Sequence, residues 1–226
     1  MNGLPIVRKA VERTVRLVSS ARLRPPVLID IVPEVMMDEL FELEGATSGR
    51  LNGQWHGTVG LEKDEFVYGV PHAAFINASF AYSKPGNLNR FNDDNRGAWY
   101  AALAVETCLK EIEYHLTKEL ENINEFNTVI ECSEMFASFA GNFLALHDYP
   151  EHDCLNPDPT IGYPAGNALA EFARSQGINL IEYPSVRHTG GTCFVALSPH
   201  VVQSVAQGDL WKIVWAGDKT PSIHKL

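Results

Sequence analysis

Long apolar runs are missing from this chain. No stretch is long enough to cross a bilayer as a helix. Basic charge is scarce: 18 lysines and arginines stand against 28 aspartates and glutamates, a formal net charge of −10. Nucleic-acid binding without sequence preference relies on basic surface to displace counterions, so that class is excluded as an expectation. No basic block or basic amphipathic helix is present either, so no membrane-surface partner is expected. A small anionic ligand remains open, because a few arginines can make a local positive site inside an acidic protein. Cysteine is also sparse. The four, at 108, 132, 154 and 193, form no CxxC pair. That spacing argues for buried thiols in a reducing compartment over a disulfide framework or a zinc site. Neither GxGxxG nor a Walker loop occurs, so the two standard nucleotide fingerprints are missing. The N-terminus has no apolar signal core, and a cytoplasmic location is expected.

What is present is the composition of a folded globular chain, 45% hydrophobic and 20% charged over 226 residues. Ile6, Val7, Ala10, Val11, Val15 and Val18 recur at helical spacing, which predicts an N-terminal amphipathic helix that ends before Pro25-Pro26. Val35, Met36, Leu40 and Leu43 predict a second. The glycine-rich stretch "SGRLNGQWHGTVGLEK" then marks a boundary. The expected division is a helical extension over residues 1–60 and a mixed domain over 61–226. In the latter, "EFVYGV" and "AAFINASFAY" are aromatic and β-branched and read as strands. "KPGNLNRFNDDNRG" reads as a loop, "AWYAAL" as a short strand and "VETCLKEIEYHLTKEL" as a helix. "NTVIECSEMFASFAGNFLAL" is expected to contain strands. "PAGNALAEFARSQG" reads as a helix closed by Gly177. "INLIEYPSV", "GTCFVALSP" and "GDLWKIVWAG" complete the strands. This mixed order predicts an α+β fold, not a doubly wound sheet.

Three segments carry candidate chemistry. On the helix beginning at Val105, the stripe is Val105, Leu109, Ile112, Leu116 and Leu120. Glu106 and Glu113 lie on one flank of it; Glu111 and His115, one turn apart, lie on the other. Solvated charge is the ordinary use of such glutamates, and Glu106 with Lys110 has ion-pair spacing. Periodicity does not select among them. "YPSVRHTGG" puts a serine, an arginine and a histidine just after a strand, where side chains can enter a pocket or simply make a turn. It has no GxSxG elbow, so serine hydrolysis is not indicated. "HDYPEHDCLNPDP" holds residues of metal-ligating type, but His147 and His152 fit no standard zinc spacing.

In order and spacing these segments resemble the RES domain, a toxin family named for an arginine, a glutamate and a serine. "NRFN" at 89–92 resembles its arginine motif. "GAWYAALAVETCLKE" at 97–111 resembles its aromatic strand and glutamate helix. "GINLIEYPSVRHTGGTCFVALSP" at 177–199 resembles its serine motif and the strand after it. The resemblance covers roughly residues 70 to 200. It implies a core similar to ADP-ribosyltransferases, with mixed or antiparallel strands and flanking helices. It implies cleavage of the nicotinamide–ribose bond of NAD⁺, with NAD⁺ as substrate and no bound cofactor, and a cognate antitoxin protein as partner. A homo-oligomer is also compatible. The residues it carries over are Arg90, Tyr100, Glu111 and Ser185. Glu106 is held in reserve, and Asn92 and Arg187 adjoin the motifs as candidate substrate contacts.

These residue types suit that chemistry. The nicotinamide of NAD⁺ is a cation that departs neutral, so no general acid is required, whereas an ordinary glycoside needs two carboxylates. One carboxylate can hold a ribose hydroxyl and stabilise the cation developing at the anomeric carbon. An aromatic face such as Tyr100 can hold the pyridinium by cation–π attraction, about 0.5–2 kcal/mol. The guanidiniums of Arg90 and Arg187 can fork onto phosphate oxygens. Ser185 can donate to the ribose or carboxamide. Two alternatives stand beside this reading: a catalytically inactive partner-binding module, and a metal-dependent hydrolase using the 147–154 cluster.

Overall fold

The computed structural model describes residues 3–20, 61–81, 86 and 88–226. Its elements are β1 (Ile6–Ser19), α1 (Ala73–Ala81), β2 (Trp99–Ala102), α2 (Val105–Ile123) and β3 (Asn127–Ala145), then α3 (Pro159–Ser175), β4 (Leu180–Pro184), β5 (Thr192–Ala196), β6 (Gln203–Ala216) and β7 (Ser222–Lys225). The fold is α+β: one mixed seven-stranded sheet in the order β1-β2-β5-β4-β3-β6-β7. β3 is its longest strand. It pairs antiparallel with β1 and with β6, and parallel with β4 over Phe143–Ala145. The single pairing Val15 to Ala102 joins β1 to β2 as well. The strands β1, β2, β5, β4 and β3 therefore form a closed circuit of pairings, and the sheet curls upon itself.

Side chains alternate across this sheet as strand geometry requires. Trp99, Phe143, Leu180 and Phe194 enter one core, which is closed by Ile76 and Phe80 of α1 and by Leu61 and Phe66. Their neighbours Leu144, Ile181 and Val195 enter a second core, closed by Leu169, Ala170 and Ala173 of α3, and Tyr100 packs against it. The predicted stripe of α2 lies on a third cluster with Trp215, Ile213 and Leu17. Gly177 adopts φ +70°, which an L side chain resists, and it closes α3 as expected. Its N–H bonds the Arg174 carbonyl while Ile178 N–H reaches back to Ala173, the paired bonds of a Schellman cap.

Three sequence expectations are corrected. The N-terminal segment is strand β1, not a helix. A bulge between Val11 and Thr14 inserts one residue against β3. The apolar residues lie on both faces of the strand, Val11 and Val18 against one core and Leu17 against another, with Ile6 and Val7 exposed, so their spacing of three and four is not the stripe of one helical face. The valines and isoleucine of β1 suit a strand. This strand lies before the boundary expected near residue 60 and pairs with strands beyond it. The second predicted helix, around Val35 to Leu43, lies outside the described residues. Residues 65–70 are a short turn and bends. Residues 73–81 are helix α1, not a strand: Ile76, Asn77, Phe80 and Ala81 are its buried face, at helical spacing. The Asn77 amide is satisfied by the Val67 backbone, accepting at 3.0 Å and donating at 2.8 Å. No helix among the described residues is long and apolar enough to cross a membrane.

Candidate active site

A cavity of about 250 Å³ opens between α2, α3 and the second face of the sheet. Its chemistry comes from elements far apart in the chain. Arg90 arrives on an irregular segment anchored by Phe91, which is fully buried edge-on against Tyr183, ring centroids 4.9 Å apart. Burying a phenylalanine contributes about 1.5–3 kcal/mol, enough to pin a segment with no ladder of its own. β2 supplies Tyr100, whose strand neighbour Trp99 points into the opposite core. α2 supplies Glu111 and His115. The turn after β4 supplies Arg187, with Ser185 beside it. α3 supplies Tyr163.

Glu111 and Ser185, 74 residues apart, meet directly: the Ser185 hydroxyl donates to Glu111 Oε1 at 2.6 Å. Ser185 Oγ in turn accepts from the backbone N–H of Arg187 at 3.2 Å and of His188 at 3.0 Å. That hydroxyl is spent on structure and, among the described residues, Glu111 is the base it is hydrogen-bonded to, so it is not set up as a nucleophile. A second tie lies one turn earlier on α2, where buried Thr107 meets His188 Nδ1 at 2.9 Å. Glu111 Oε2 takes no hydrogen bond among the described residues; His115 Nε2 is 3.9 Å away. Burial, helped by Arg187 and Arg90, lowers the His115 pKa below its usual 6.5 against the opposing pull of Glu111. At neutral pH the ring is therefore neutral. Glu106 is exposed and outside the cavity. The geometry thus separates the two glutamates that periodicity could not.

Arg90 lines the cavity, but part of its fork is already used. Its Nη1 donates to the carbonyls of Cys154 at 2.5 Å and Asn156 at 3.1 Å. Tyr100 lines the cavity with its hydroxyl fixed, donating to Asn92 Oδ1 and accepting from Phe91 N–H, each at 2.9 Å. Asn92 itself is only 4% exposed and does not line the cavity. The expectation that it contacts substrate is replaced: a buried amide is held there to satisfy the Tyr100 hydroxyl. Burial raises the pKa of Tyr100, Tyr163 and Tyr183, so these phenols stay protonated. The thiols of Cys108 and Cys193 also face the cavity, and burial pushes Cys108 up to about 12 and Cys193 upward too. Neither is a thiolate at neutral pH.

Sequence reasoning missed several lining residues. Arg16 and Leu17 come from β1, which was read as a helix. Tyr163 gave no signal because Pro164 and the residues before it read as loop, whereas α3 begins at Pro159 with Asp158 as its N-cap, accepting from Thr160 N–H. Tyr183 could have been found from the alternation of "LIEYP". The candidate metal cluster does not converge. Cys154 is buried and His152 Nδ1 accepts from its backbone N–H, while His147 lies beside Glu182 instead. Among the described residues no three histidine, cysteine, aspartate or glutamate side chains gather as a metal site.

The model of the RES domain matches residues 66–216. The chain belongs to the RES domain family. The RES match runs from the residues before α1 to the end of β6 and leaves β1 outside it, although β1 contributes Arg16 to the cavity. No curated protein matches the chain. Among solved structures, this RES chain is similar to one from the crystal structure of the M. tuberculosis MbcT–MbcA toxin–antitoxin complex. The two are 13% identical, with a TM-score of 0.43, over 90% of this chain and 86% of that one.

Proposed function

We propose that this chain is an NAD⁺-consuming toxin that cleaves the nicotinamide–ribose bond, and that a cognate antitoxin protein restrains it by covering the cavity. One observation carries the reading: a single carboxylate, Glu111, is held in the cavity by Ser185 at Oε1 and presents Oε2 without a protein donor among the described residues. Three arginines share that cavity in a protein of net charge −10.

The chemistry needs little else. The bond between the anomeric carbon and the ring nitrogen breaks, its electron pair returns to nitrogen, and nicotinamide leaves neutral. Glu111 Oε2 accepts from a ribose hydroxyl and stabilises the positive charge on the sugar. Tyr100, Tyr163 and Tyr183 offer faces for the pyridinium and the nucleoside. An acceptor oxygen then attacks the anomeric carbon and gives up its proton to solvent. Water makes the protein a glycohydrolase, inorganic phosphate a phosphorylase, and a protein side chain an ADP-ribosyltransferase. Purified chain, freed of any bound partner, is incubated with NAD⁺ with and without phosphate, and free nicotinamide is followed by chromatography. Release in either condition is expected; none in both would sink the reading.

A further inference from the structure

The segment "YPSVRHTGG" folds as the turn after β4, and its histidine has no part in the chemistry above. The turn closes on itself: Ser185 N–H bonds the Gly191 carbonyl at 2.8 Å, and Gly191 N–H bonds the His188 carbonyl at 2.9 Å. It lies along α2. Thr107, Glu111 and Tyr114 stand at i, i+4 and i+7, the spacing of one helical face. Each meets a different residue of the turn. Thr107 Oγ1 is 2.9 Å from His188 Nδ1, Glu111 Oε1 accepts from the Ser185 hydroxyl at 2.6 Å, and the Tyr114 ring lies 3.6 Å from the Arg187 guanidinium.

The three ties are not equivalent. Arg187 lines the cavity and donates Nη2 to the Pro157 carbonyl, in the turn before α3, at 2.7 Å. The Ser185 tie involves the cavity carboxylate itself. The His188 tie stands apart: neither His188 nor Thr107 lines the cavity, and Thr107 is 1% exposed. A hydrogen bond shielded from water is electrostatically stronger, and a buried hydroxyl left without a partner is costly. The approach requires a glycine, since a methyl group at Gly191 would lie 2.7 Å from Thr107 Oγ1 and 3.0 Å from His188 Nδ1. α3 is fitted by the same means: a methyl group at Gly162 would collide with the Asn156 carbonyl, and one at Gly166 with the Arg90 carbonyl.

His188 also reaches Glu111 through its main chain. Its N–H donates to Ser185 Oγ at 3.0 Å, and that hydroxyl donates to Glu111 Oε1. Linked hydrogen bonds polarise and strengthen one another. One residue thus pins the turn to α2 with its ring and orients the serine with its backbone.

We propose that His188 is a positioning residue for Glu111: its ring, anchored on Thr107, sets the Ser185 hydroxyl against Oε1 and so fixes the direction in which Oε2 faces the sugar. This rests on the reading of Glu111 as the carboxylate that meets the ribose. The tie serves with the hydrogen on either partner, because a threonine hydroxyl and an imidazole nitrogen can each donate or accept. Aim counts in the transition state, while other cavity residues hold the rest of NAD⁺, so the loss falls on kcat and spares KM.

The test is steady-state nicotinamide release by wild type, His188→Ala, His188→Asn and His188→Gln, each scaled to its folded fraction, with amide hydrogen exchange at Arg187 and Gly191 on the same preparations. An asparagine amide can stand where Nδ1 stands; a glutamine amide is one carbon further out. In His188→Ala and His188→Gln kcat is expected to fall about five- to tenfold with KM within about twofold, and in His188→Asn to return to within about twofold of wild type. Should His188→Ala not fold, the asparagine and glutamine variants carry the same comparison. In a Ser185→Ala background His188→Ala should cost nothing further, because the hydroxyl it acts through is gone; a merely structural role would add its full loss there. Full kcat in His188→Ala, equal losses in His188→Asn and His188→Gln, or an additive double variant overturns the proposal. If nicotinamide is released and these losses are missing, the positioning is wrong and the cleavage reading survives. If wild type releases none, the cleavage reading fails and exchange decides the positioning. Faster exchange at Arg187 and Gly191 in His188→Ala, restored in His188→Asn, keeps it; unchanged exchange removes it.

Discussion

The two walls of the cavity are built in different ways. The α2 wall is joined by side chains: Ser185 to Glu111 and His188 to Thr107, two ties one helical turn apart. The α3 wall is joined through backbone: three carbonyls of one turn hold two arginines, and glycines bring the helix close. Side-chain ties use residues whose type announces the chemistry. Carbonyl ties use an atom that every residue has. The first wall is therefore specified by which residue stands at each position, and the second by how closely the chain can approach itself.

Substitutions should separate the walls. The largest effect is expected from Glu111→Gln, which keeps the shape and removes the charge. Nicotinamide release should fall about 10²–10³-fold, the usual cost of losing one preorganised stabilising group. Ser185→Ala leaves that carboxylate in place but frees Oε1. A charge-assisted hydrogen bond is worth about 1.5–3 kcal/mol, so release should fall roughly ten- to a hundredfold, with urea denaturation changed much less. On the other wall Gly162→Ala should show in stability first. Overpacking costs about 1–3 kcal/mol, read as a lower urea midpoint, and displaced Arg90 should raise the KM for NAD⁺ more than it lowers kcat. Thr107→Val removes the tie to His188 at a buried site and should cost about 1 kcal/mol in the same denaturation assay.

The smallest effect concerns acid. The folded state depresses the His115 pKa, so below about 6.5 the unfolded chain binds the proton first. Stability is then lost as pH falls from 6.5 towards the folded value, and is fully present above 6.5. His115 is half-exposed, which keeps this modest. The melting temperature of wild type should fall relative to that of His115→Gln as pH drops through that window; parallel curves would remove the assignment.

Much of the first wall was legible in sequence. The α2 stripe placed the helix, and the strand preceding "PSVRH" placed the serine turn. Glu111 over Glu106 was not legible from periodicity, since both flank the stripe; resemblance chose it, and the cavity now contains Glu111 alone of the two. On the second wall, Arg90 was nominated with a free fork, because nothing about Cys154, Asn156 or Pro157 as residue types marks their carbonyls as its partners. The "HDYPEHDCLNPDP" segment suggested ligands by its side chains while its contribution comes from its main chain. Gly162 and Gly166 at i, i+4 were the available sign of a close approach. Strand β1 was not legible because its apolar residues stand on both faces, Val11 and Val18 against one core and Leu17 against another, and their combined spacing imitates a helical stripe.

The most direct measurement sets Glu111→Gln beside Glu106→Gln in the nicotinamide-release assay, each checked for native folding. Release should be nearly abolished in the first and stay within about twofold of wild type in the second, since exposed substitutions usually cost under 0.5 kcal/mol. Equal losses in the two, or full activity without the Glu111 carboxylate, would contradict an active site built around Glu111.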